Sequence, residues 1–332
     1  MATAGYFGAY AIVTASSGFW VRRFRWPTLC AVGFGLMLTG TALCLAVGSM
    51  PVMQAGLVIL GLGSGILFPI SFAMAGEVEE TTRVFAIKLT AEQLVPAGML
   101  LLLTAYTALM SPVYDLFAGL LVLVVASAVV TFLSGNWSDG SSVATETAEK
   151  GSRVLAVLSL IGLFVSFCGF AGVWAFLERI ANVSGLDGSF TGRWLAVGLV
   201  ASGVGPLMVA FVGDRIGRTW VIAGGSLVAV ASLALLAEPV TETMFAVALV
   251  SLPLGYYIAV SYMLAVIADA DYNGRNAALV SFVLAMGAIG GPAVFGYLLG
   301  VDGPSMIAMA TLMISGAIVM TIVASRLQNP RV

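Results

Sequence analysis

The chain consists almost entirely of long apolar runs separated by short polar turns, and 60% of its residues are hydrophobic while only 9% are charged. An α-helix of about 20 apolar residues is long enough to cross a lipid bilayer. A membrane β-strand would instead alternate apolar and polar residues. Because the runs here are continuously apolar, the sequence predicts an all-α, polytopic protein embedded in the lipid bilayer.

Eleven such runs define the predicted transmembrane helices. The predicted spans are 1–20, 27–48, 51–75, 84–108, 112–134, 154–178, 192–212, 219–237, 243–267, 276–299 and 305–325. The connections are short except for the polar, small-residue-rich segment 135–153, whose composition is typical of a flexible linker. The sequence therefore predicts an N-terminal half, residues 1–134, with five helices and a C-terminal half, residues 154–332, with six.

A charged turn, Gly-Asp-Arg-Ile-Gly-Arg, interrupts the apolar pattern at residues 213–218. Asp214, Arg215 and Arg218 are too costly to place in hydrocarbon, so the turn lies at the water interface. Gly213 and Gly217 allow the backbone to reverse its direction. This order resembles the signature loop between the second and third helices of each six-helix half in the major facilitator superfamily of secondary transporters. The alternative is an ordinary basic turn.

A related turn lies upstream, in the segment 17–26. Aligning the two turns at an offset of 192 residues places Arg22 at the position of Asp214 and Arg25 at that of Gly217. The basic character is retained, whereas the acid and the second glycine are not. Two similar halves are what the resemblance implies, that is, a two-half helical bundle similar to the superfamily, with about 11 transmembrane helices.

The basic residues predict the orientation in the membrane. Eleven Lys and Arg residues fall on one set of alternating helix ends, and only Arg179 and Arg193 fall on the other. The positive-inside rule then places the linker, both turns and the C-terminus in the cytoplasm, in the inner membrane if the source is bacterial. Met1 would lie outside. Since members of the superfamily have twelve helices and both termini inside, we expect the first helix of the family to be absent, because the true start lies upstream or because this is a shortened form.

The resemblance also implies how the turns act. The acid of such a turn caps the start of a helix in the opposite half, so we expect Asp214 to approach the helix start at Arg83–Val84. Arg22 would repel the helix start near Asn276, which predicts a brace on one side only. The charges that precede Arg83, among them Glu77, are expected to be solvated.

Charged and polar side chains inside a predicted span are candidates for substrate or proton binding, because charges in hydrocarbon usually face a bundle interior or a watery cavity. Lys88 and Glu92 share one face of the fourth span at a spacing of four residues, and Gln93 follows them. One interpretation is a structural salt bridge near the cytoplasmic end. The other makes Glu92 the coupling carboxylate or a substrate contact whose ionisation Lys88 tunes.

Two further spans carry candidate substrate contacts. Trp174 and Glu178 lie near the outer end of the sixth span, where they are either a substrate platform and a gate or interfacial residues. Tyr256, Tyr257 and Ser261 in the ninth span offer hydroxyl groups to a ligand, or satisfy one another between helices.

The chemistry of the sequence argues against an enzyme, a metal site or a cofactor. The chain has no histidine and no nucleophile–base pair, its three cysteines lack metal-binding spacing, and its net charge of −2 gives no sign of nucleic-acid binding. The resemblance implies a monomeric secondary transporter, symporter or antiporter, that moves a small organic solute by alternating access, with protons as a candidate coupling ion. The alternative is a non-transporting, truncated remnant or a membrane binding partner.

Overall fold

The computed structural model describes residues 2–46, 49–106, 112–134, 153–237, 240–271, 275–299 and 303–328. These residues form twelve α-helices and no strand. The helices are α1 (Ala2–Ala15), α2 (Ser17–Trp20), α3 (Trp26–Ala46), α4 (Met50–Ala75), α5 (Thr81–Tyr106), α6 (Pro112–Leu133), α7 (Arg153–Val183), α8 (Gly188–Val212), α9 (Arg218–Ala234), α10 (Glu242–Ala270), α11 (Asn276–Leu299) and α12 (Gly303–Gln328).

Eight helices of the described chain are long and apolar enough to cross a membrane, namely α3, α4, α6, α7, α8, α10, α11 and α12. Helix α9 is apolar but shorter, with 17 residues, and α5 carries the predicted charges Lys88 and Glu92. The predicted first span is divided, because α1 ends at Ala15 and α2 forms a separate turn of helix. The all-α, multi-pass membrane fold is as predicted, while most of the predicted linker lies outside the described residues.

The internal repeat at an offset of 192 residues recurs in the helix boundaries. Helix α3 begins at Trp26 and α9 at Arg218, while α4 begins at Met50 and α10 at Glu242. Each pair of starting residues is 192 positions apart. The α3–α4 pair is therefore the counterpart of the α9–α10 pair.

Close backbone contacts between these helices confirm the same register. In the first pair, a Cβ atom on Gly63 would lie 2.7 Å from the carbonyl oxygen of Gly33. In the second pair, a Cβ atom on Gly255 would lie 2.6 Å from the carbonyl oxygen of Gly225. Both pairs are related by the 192-residue offset. Glycine is required at these points because the helix backbones touch there.

The described contacts divide the chain into two compact units. The first unit comprises Met1–Glu77, Gly98–Glu149 and Asn273–Ala285. The second unit comprises Val78–Ala97, Lys150–Tyr272 and Met286–Val332. The beginning of α5 thus packs with the second unit and the beginning of α11 with the first. The predicted division into halves at 135–153 follows the chain order and stays a prediction.

Candidate functional site

The turn between α8 and α9 has the backbone geometry that its two glycines predict. Gly213, which follows the last residue of α8, has a φ of 56°, and Gly217, which precedes α9, has a φ of 85°. Side chains other than glycine rarely adopt such positive φ values. These two positions let the chain reverse within the five residues that separate the helices.

Arg218 joins two acids at this turn. Its Nε and Nη2 atoms donate to Oδ1 and Oδ2 of Asp214 at 3.0 and 2.9 Å, a bidentate pairing that is stronger than a single hydrogen bond. Its Nη1 atom pairs with Asp269 at the end of α10. Arg215 in contrast is exposed. Arg218 therefore connects the start of α9 with the end of α8 and the end of α10.

Both acids also accept hydrogen bonds from the start of α5. Thr82 Oγ1 donates to Asp214 Oδ1 at 2.8 Å, and Thr81 Oγ1 donates to Asp269 Oδ1 at 3.3 Å. A carboxylate beside a helix N-terminus is favoured by the helix dipole. The prediction that Asp214 approaches this helix start is confirmed, with Thr82 as the contact. We refer to Thr81, Thr82, Asp214, Arg218 and Asp269 as the Asp214 cluster.

The environment of Asp214 keeps its carboxyl group ionised. Partial burial raises the pKa of Asp214, whereas the hydrogen bonds from Arg218 and Thr82 and the charge of Arg218 lower it, and the net pKa lies below the ordinary value of 3.8. The Asp214 carboxylate therefore retains its charge throughout the neutral pH range.

The upstream turn is organised differently from what the sequence predicts. Arg22 pairs with Glu77, and its guanidinium group lies 5.4 Å from the centre of the Trp26 ring. The side chains of Arg22 and Glu77 are only 13% and 11% exposed, so the prediction that Glu77 is solvated is wrong. The chain leaves α4 at Ala75 and brings Glu77 against this turn. We refer to Arg22, Trp26 and Glu77 as the Arg22 cluster.

The expected repulsion between Arg22 and the start of α11 is likewise corrected, because Glu77 compensates the charge of Arg22. At the start of α11 the structure shows apolar packing and a hydrogen bond from the upstream turn. Ala278 is fully buried in the core that contains Val21 and Trp26, and Ser17 Oγ donates to the Ala278 carbonyl oxygen at 3.2 Å.

Within α5, Lys88 and Glu92 form the ion pair that their spacing predicts. Their side chains are 12% and 21% exposed. Such a pair compensates two charges that would otherwise be costly at membrane depth. The next residue, Gln93, points elsewhere because successive helical residues are rotated by about 100°.

A cavity of about 290 Å³ lies within the second unit, where α5, α7, α8, α10 and α11 meet. None of the described side chains that line it is charged. The lining residues are Gln93, Phe167, Phe170, Ala171, Trp174, Ala175, Leu199, Ser202, Tyr257, Ala288 and Pro292. The cavity thus combines aromatic and aliphatic walls with a few hydrogen-bonding groups, as small-molecule sites usually do.

The polar groups of the cavity converge on Gln93. Ser202 Oγ donates to Gln93 Oε1 at 3.2 Å, and Tyr257 lines the same cavity. The Phe170 ring is stacked on Tyr256 at 4.3 Å between centroids and on Trp174 at 5.7 Å. These contacts fix the orientation of the amide and of the aromatic wall before any ligand binds.

No protein-family model and no curated protein matches this sequence, whereas solved structures match nearly its whole length. The Escherichia coli fucose:proton symporter has 17% identity and a TM-score of 0.73, over 99% of this chain and 90% of that chain. The proton:xylose symporter XylE has 10% identity and a TM-score of 0.74, over 95% and 83%. A bacterial homologue of the iron transporter ferroportin has 14% identity and a TM-score of 0.73, over 97% and 88%. The chain has the major facilitator superfamily fold.

On this major facilitator superfamily fold, the predicted site residues fall into separate groups. Gln93, Trp174 and Tyr257 line the cavity. Tyr256 is buried behind its wall, with its hydroxyl 3.4 Å from Ser166 Oγ. Lys88 and Glu92, which form the ion pair described above, do not line the cavity either.

Ser261 is completely buried, and its hydroxyl donates to the Tyr257 carbonyl oxygen at 2.8 Å within α10. Glu178 is exposed, one helical turn beyond Trp174. Neither contributes a polar group to the cavity.

Sequence reasoning missed several residues that the structure brings into these sites. Four of them are Phe170 and Ser202 in the cavity, and Thr82 and Asp269 in the Asp214 cluster; Phe167 in the cavity and Thr81 in the cluster were missed as well. The repeat offers a signal for Asp269, because it lies 192 positions after Glu77, which is also an acid that pairs with an arginine. No comparable signal marks Phe170 or Ser202 in a chain so rich in phenylalanine and small residues.

Proposed function

We propose that this protein is a secondary transporter that moves a small, uncharged organic solute by alternating access. The observation that carries the proposal is the uncharged cavity around Gln93, on a fold whose solved neighbours are described as transporters. At about 290 Å³ the cavity is at the lower end of the usual size of ligand pockets, which favours a small solute.

The lining of the cavity favours a neutral solute with hydroxyl groups. Gln93, Ser202 and Tyr257 can exchange hydrogen bonds with such groups, and the faces and edges of Phe167 and Trp174 can pack against an apolar side. A charged solute would have to leave water without a compensating charge among the described lining residues, which is costly. Two of the similar structures are symporters named for fucose and xylose, so neutral sugars are the first solutes to test.

Glu92 is our candidate for the coupling carboxylate. It is an acid within α5, paired with Lys88, one residue before Gln93 of the cavity. We propose that protonation of Glu92 alternates with its ion pair to Lys88, so that proton binding loosens this part of α5 as the solute binds. The two similar sugar symporters are named as proton-coupled, which supports protons as the ion to test.

The proposed topology follows from the basic residues of the sequence. We propose that the two turns, the linker and the C-terminus lie in the cytoplasm, and that the halves 1–134 and 154–332 move against each other. We also propose that the protein acts as a monomer, in the inner membrane if its source is bacterial.

The solute is tested by uptake into proteoliposomes with radiolabelled L-fucose and D-xylose, and with D-gluconate as a charged comparison. We expect uptake of a neutral sugar and about tenfold less in Gln93→Ala, since truncation removes the cavity-lining amide whose oxygen accepts from Ser202. Ser261→Ala is the matched control, because its hydroxyl bonds within its own helix, and it should retain uptake. Preference for D-gluconate, or equal loss in both variants, would contradict the proposal.

The coupling role is tested by Glu92→Gln. We expect this variant to lose the stimulation of uptake by a pH gradient while exchange of solute between the two sides continues. A pH dependence that is unchanged in Glu92→Gln would refute the assignment of Glu92 without affecting that of the cavity.

A further inference from the structure

The upstream turn carries a different set of charges from its counterpart at the three positions that make the interactions. Under the 192-residue offset, the equivalent pairs are Arg22 and Asp214, Trp26 and Arg218, and Glu77 and Asp269. The order acid, cation, acid of the second repeat is replaced by cation, aromatic, acid in the first. From the sequence alone, the first turn would be expected to lack the ion pairs that Arg218 forms in the second repeat.

The contacts show instead that an arginine at a different position connects the first turn to the end of α4. In the second repeat, Arg218 on the first residue of α9 reaches Asp269 in the last turn of α10. In the first repeat, Arg22 reaches the equivalent acid, Glu77, from a position one helical turn earlier. Trp26 occupies the place of Arg218 and supports the face of the Arg22 guanidinium group.

A second contact is conserved in position although its donor has changed. The carbonyl oxygens of Val21 and Gly213 are equivalent under the offset. The first accepts a hydrogen bond from Trp26 Nε1 at 2.8 Å, and the second accepts one from the Tyr262 hydroxyl. The same backbone group is thus held in both repeats by donors from different positions in the sequence.

We propose that Arg22 and Glu77 are positioning residues that fasten the first turn to the end of α4, with the same task as the Asp214 cluster but with opposite polarity at the turn. Two independent features support this assignment: the equivalent acid is paired in both repeats, and the equivalent carbonyl group is held in both. A role of this connection in alternating access rests on the proposed function, whereas the connection between the first turn and α4 does not.

The two clusters differ in how strongly water and salt screen them. The side chains of Arg22 and Glu77 are 13% and 11% exposed, against 49% for Asp214 and 40% for Asp269. A buried pair is screened little, and removal of one partner leaves an uncompensated charge. Removal of one charge should therefore destabilise the surroundings of the Arg22 cluster more than removal of one charge destabilises those of the Asp214 cluster.

The experiment measures hydrogen–deuterium exchange of the full-length protein in lipid nanodiscs, at the peptides covering residues 17–26 and 70–77. Glu77→Gln should accelerate exchange there by more than about tenfold, because it removes the carboxylate that pairs with the Arg22 guanidinium group at low exposure. The double variant Arg22→Gln/Glu77→Gln should exchange more slowly than Glu77→Gln, since both charges of the pair are then removed. The control Glu80→Gln removes the exposed Arg83–Glu80 pair, 57% and 68% exposed, and should change exchange by less than about twofold.

Equal effects of Glu77→Gln and Glu80→Gln, or strictly additive effects in the double variant, would overturn the proposal. If Glu77→Gln fails to fold, Trp26→Phe provides the test, because it keeps an aromatic ring while removing the N–H group that holds Val21 together with part of the buried indole ring. It should accelerate exchange in 17–26 by about fivefold, and unchanged exchange would again refute the assignment. The expected exchange pattern in a protein that transports no neutral sugar would support the positioning role and contradict the proposed solute.

Discussion

Neutralisation of Asp214 should shift the balance between the two access states of the proposed transporter by a small, calculable amount. In Asp214→Asn the amide oxygen can still accept from Thr82, so the main loss is the ion pair with Arg218, which keeps Asp269 as a partner. Because Asp214 is 49% exposed, that loss is about 1 kcal/mol. Asp214→Ala also removes the hydrogen bond from Thr82, worth about 1 kcal/mol more. The expected shifts in the equilibrium are about fivefold and about thirtyfold.

The assay is the labelling rate of a single reporter cysteine by a membrane-impermeant maleimide added from outside. Ala175 is suitable because it is exposed and lines the cavity, and the native cysteines Cys30, Cys44 and Cys168 are buried. The cluster lies at the predicted cytoplasmic end, so its loss should favour the inward-open state and slow outside labelling of Ala175→Cys. Labelling that is equal in the parent, Asp214→Asn and Asp214→Ala would refute the reasoning, as would a larger effect of asparagine than of alanine.

Three further predictions follow from individual contacts. Gly225→Ala should lower the thermal unfolding temperature, since its Cβ would lie 2.7 Å from a carbonyl oxygen of α10, whereas Gly224→Ala, with nothing within 4 Å, should be neutral; equal effects would contradict the close helix contact. Tyr262→Phe should destabilise by about 1 kcal/mol in the same assay because the Gly213 carbonyl oxygen loses its donor, and an unchanged unfolding temperature would contradict this bond. Because the pKa of Asp214 lies below its ordinary value, its contribution is lost only as the pH falls through that lowered pKa. Labelling rates rise with pH because the thiolate reacts, but the ratio of the rates of the parent and Asp214→Asn should stay constant from about pH 5 to about pH 8.

The helical architecture could be predicted because the bilayer leaves few alternatives. Continuous apolar runs at membrane length determine the helices, and a charged turn determines where the chain returns to water. The position of Asp214 at the start of α5 followed from the resemblance, and its contact proved to be Thr82. What periodicity could not supply was the division of α5 and α11 between the two compact units, because that depends on packing between helices that are far apart in sequence.

The errors at the candidate sites have a common physical cause. Glu77 was expected in solvent because it stands in a run of charges, yet it is buried by a partner 55 positions away, Arg22. Ser261 was one candidate for a ligand contact, and its hydroxyl bonds to a carbonyl oxygen of its own helix. The sequence identifies which polar groups need a partner, while the tertiary structure decides whether the partner is a ligand, a distant side chain or the local backbone.

The central prediction is that the chain contains two copies of one helical unit and that the turns of both copies lie at the same face of the membrane. Arg23 and Arg215 occupy equivalent positions in the two turns, and both are exposed. The decisive measurement is the side from which Arg23→Cys and Arg215→Cys, introduced singly, react with a membrane-impermeant maleimide in sealed vesicles of known orientation. We predict that both react from the cytoplasmic side only, and reaction of the two positions from opposite sides would contradict the account.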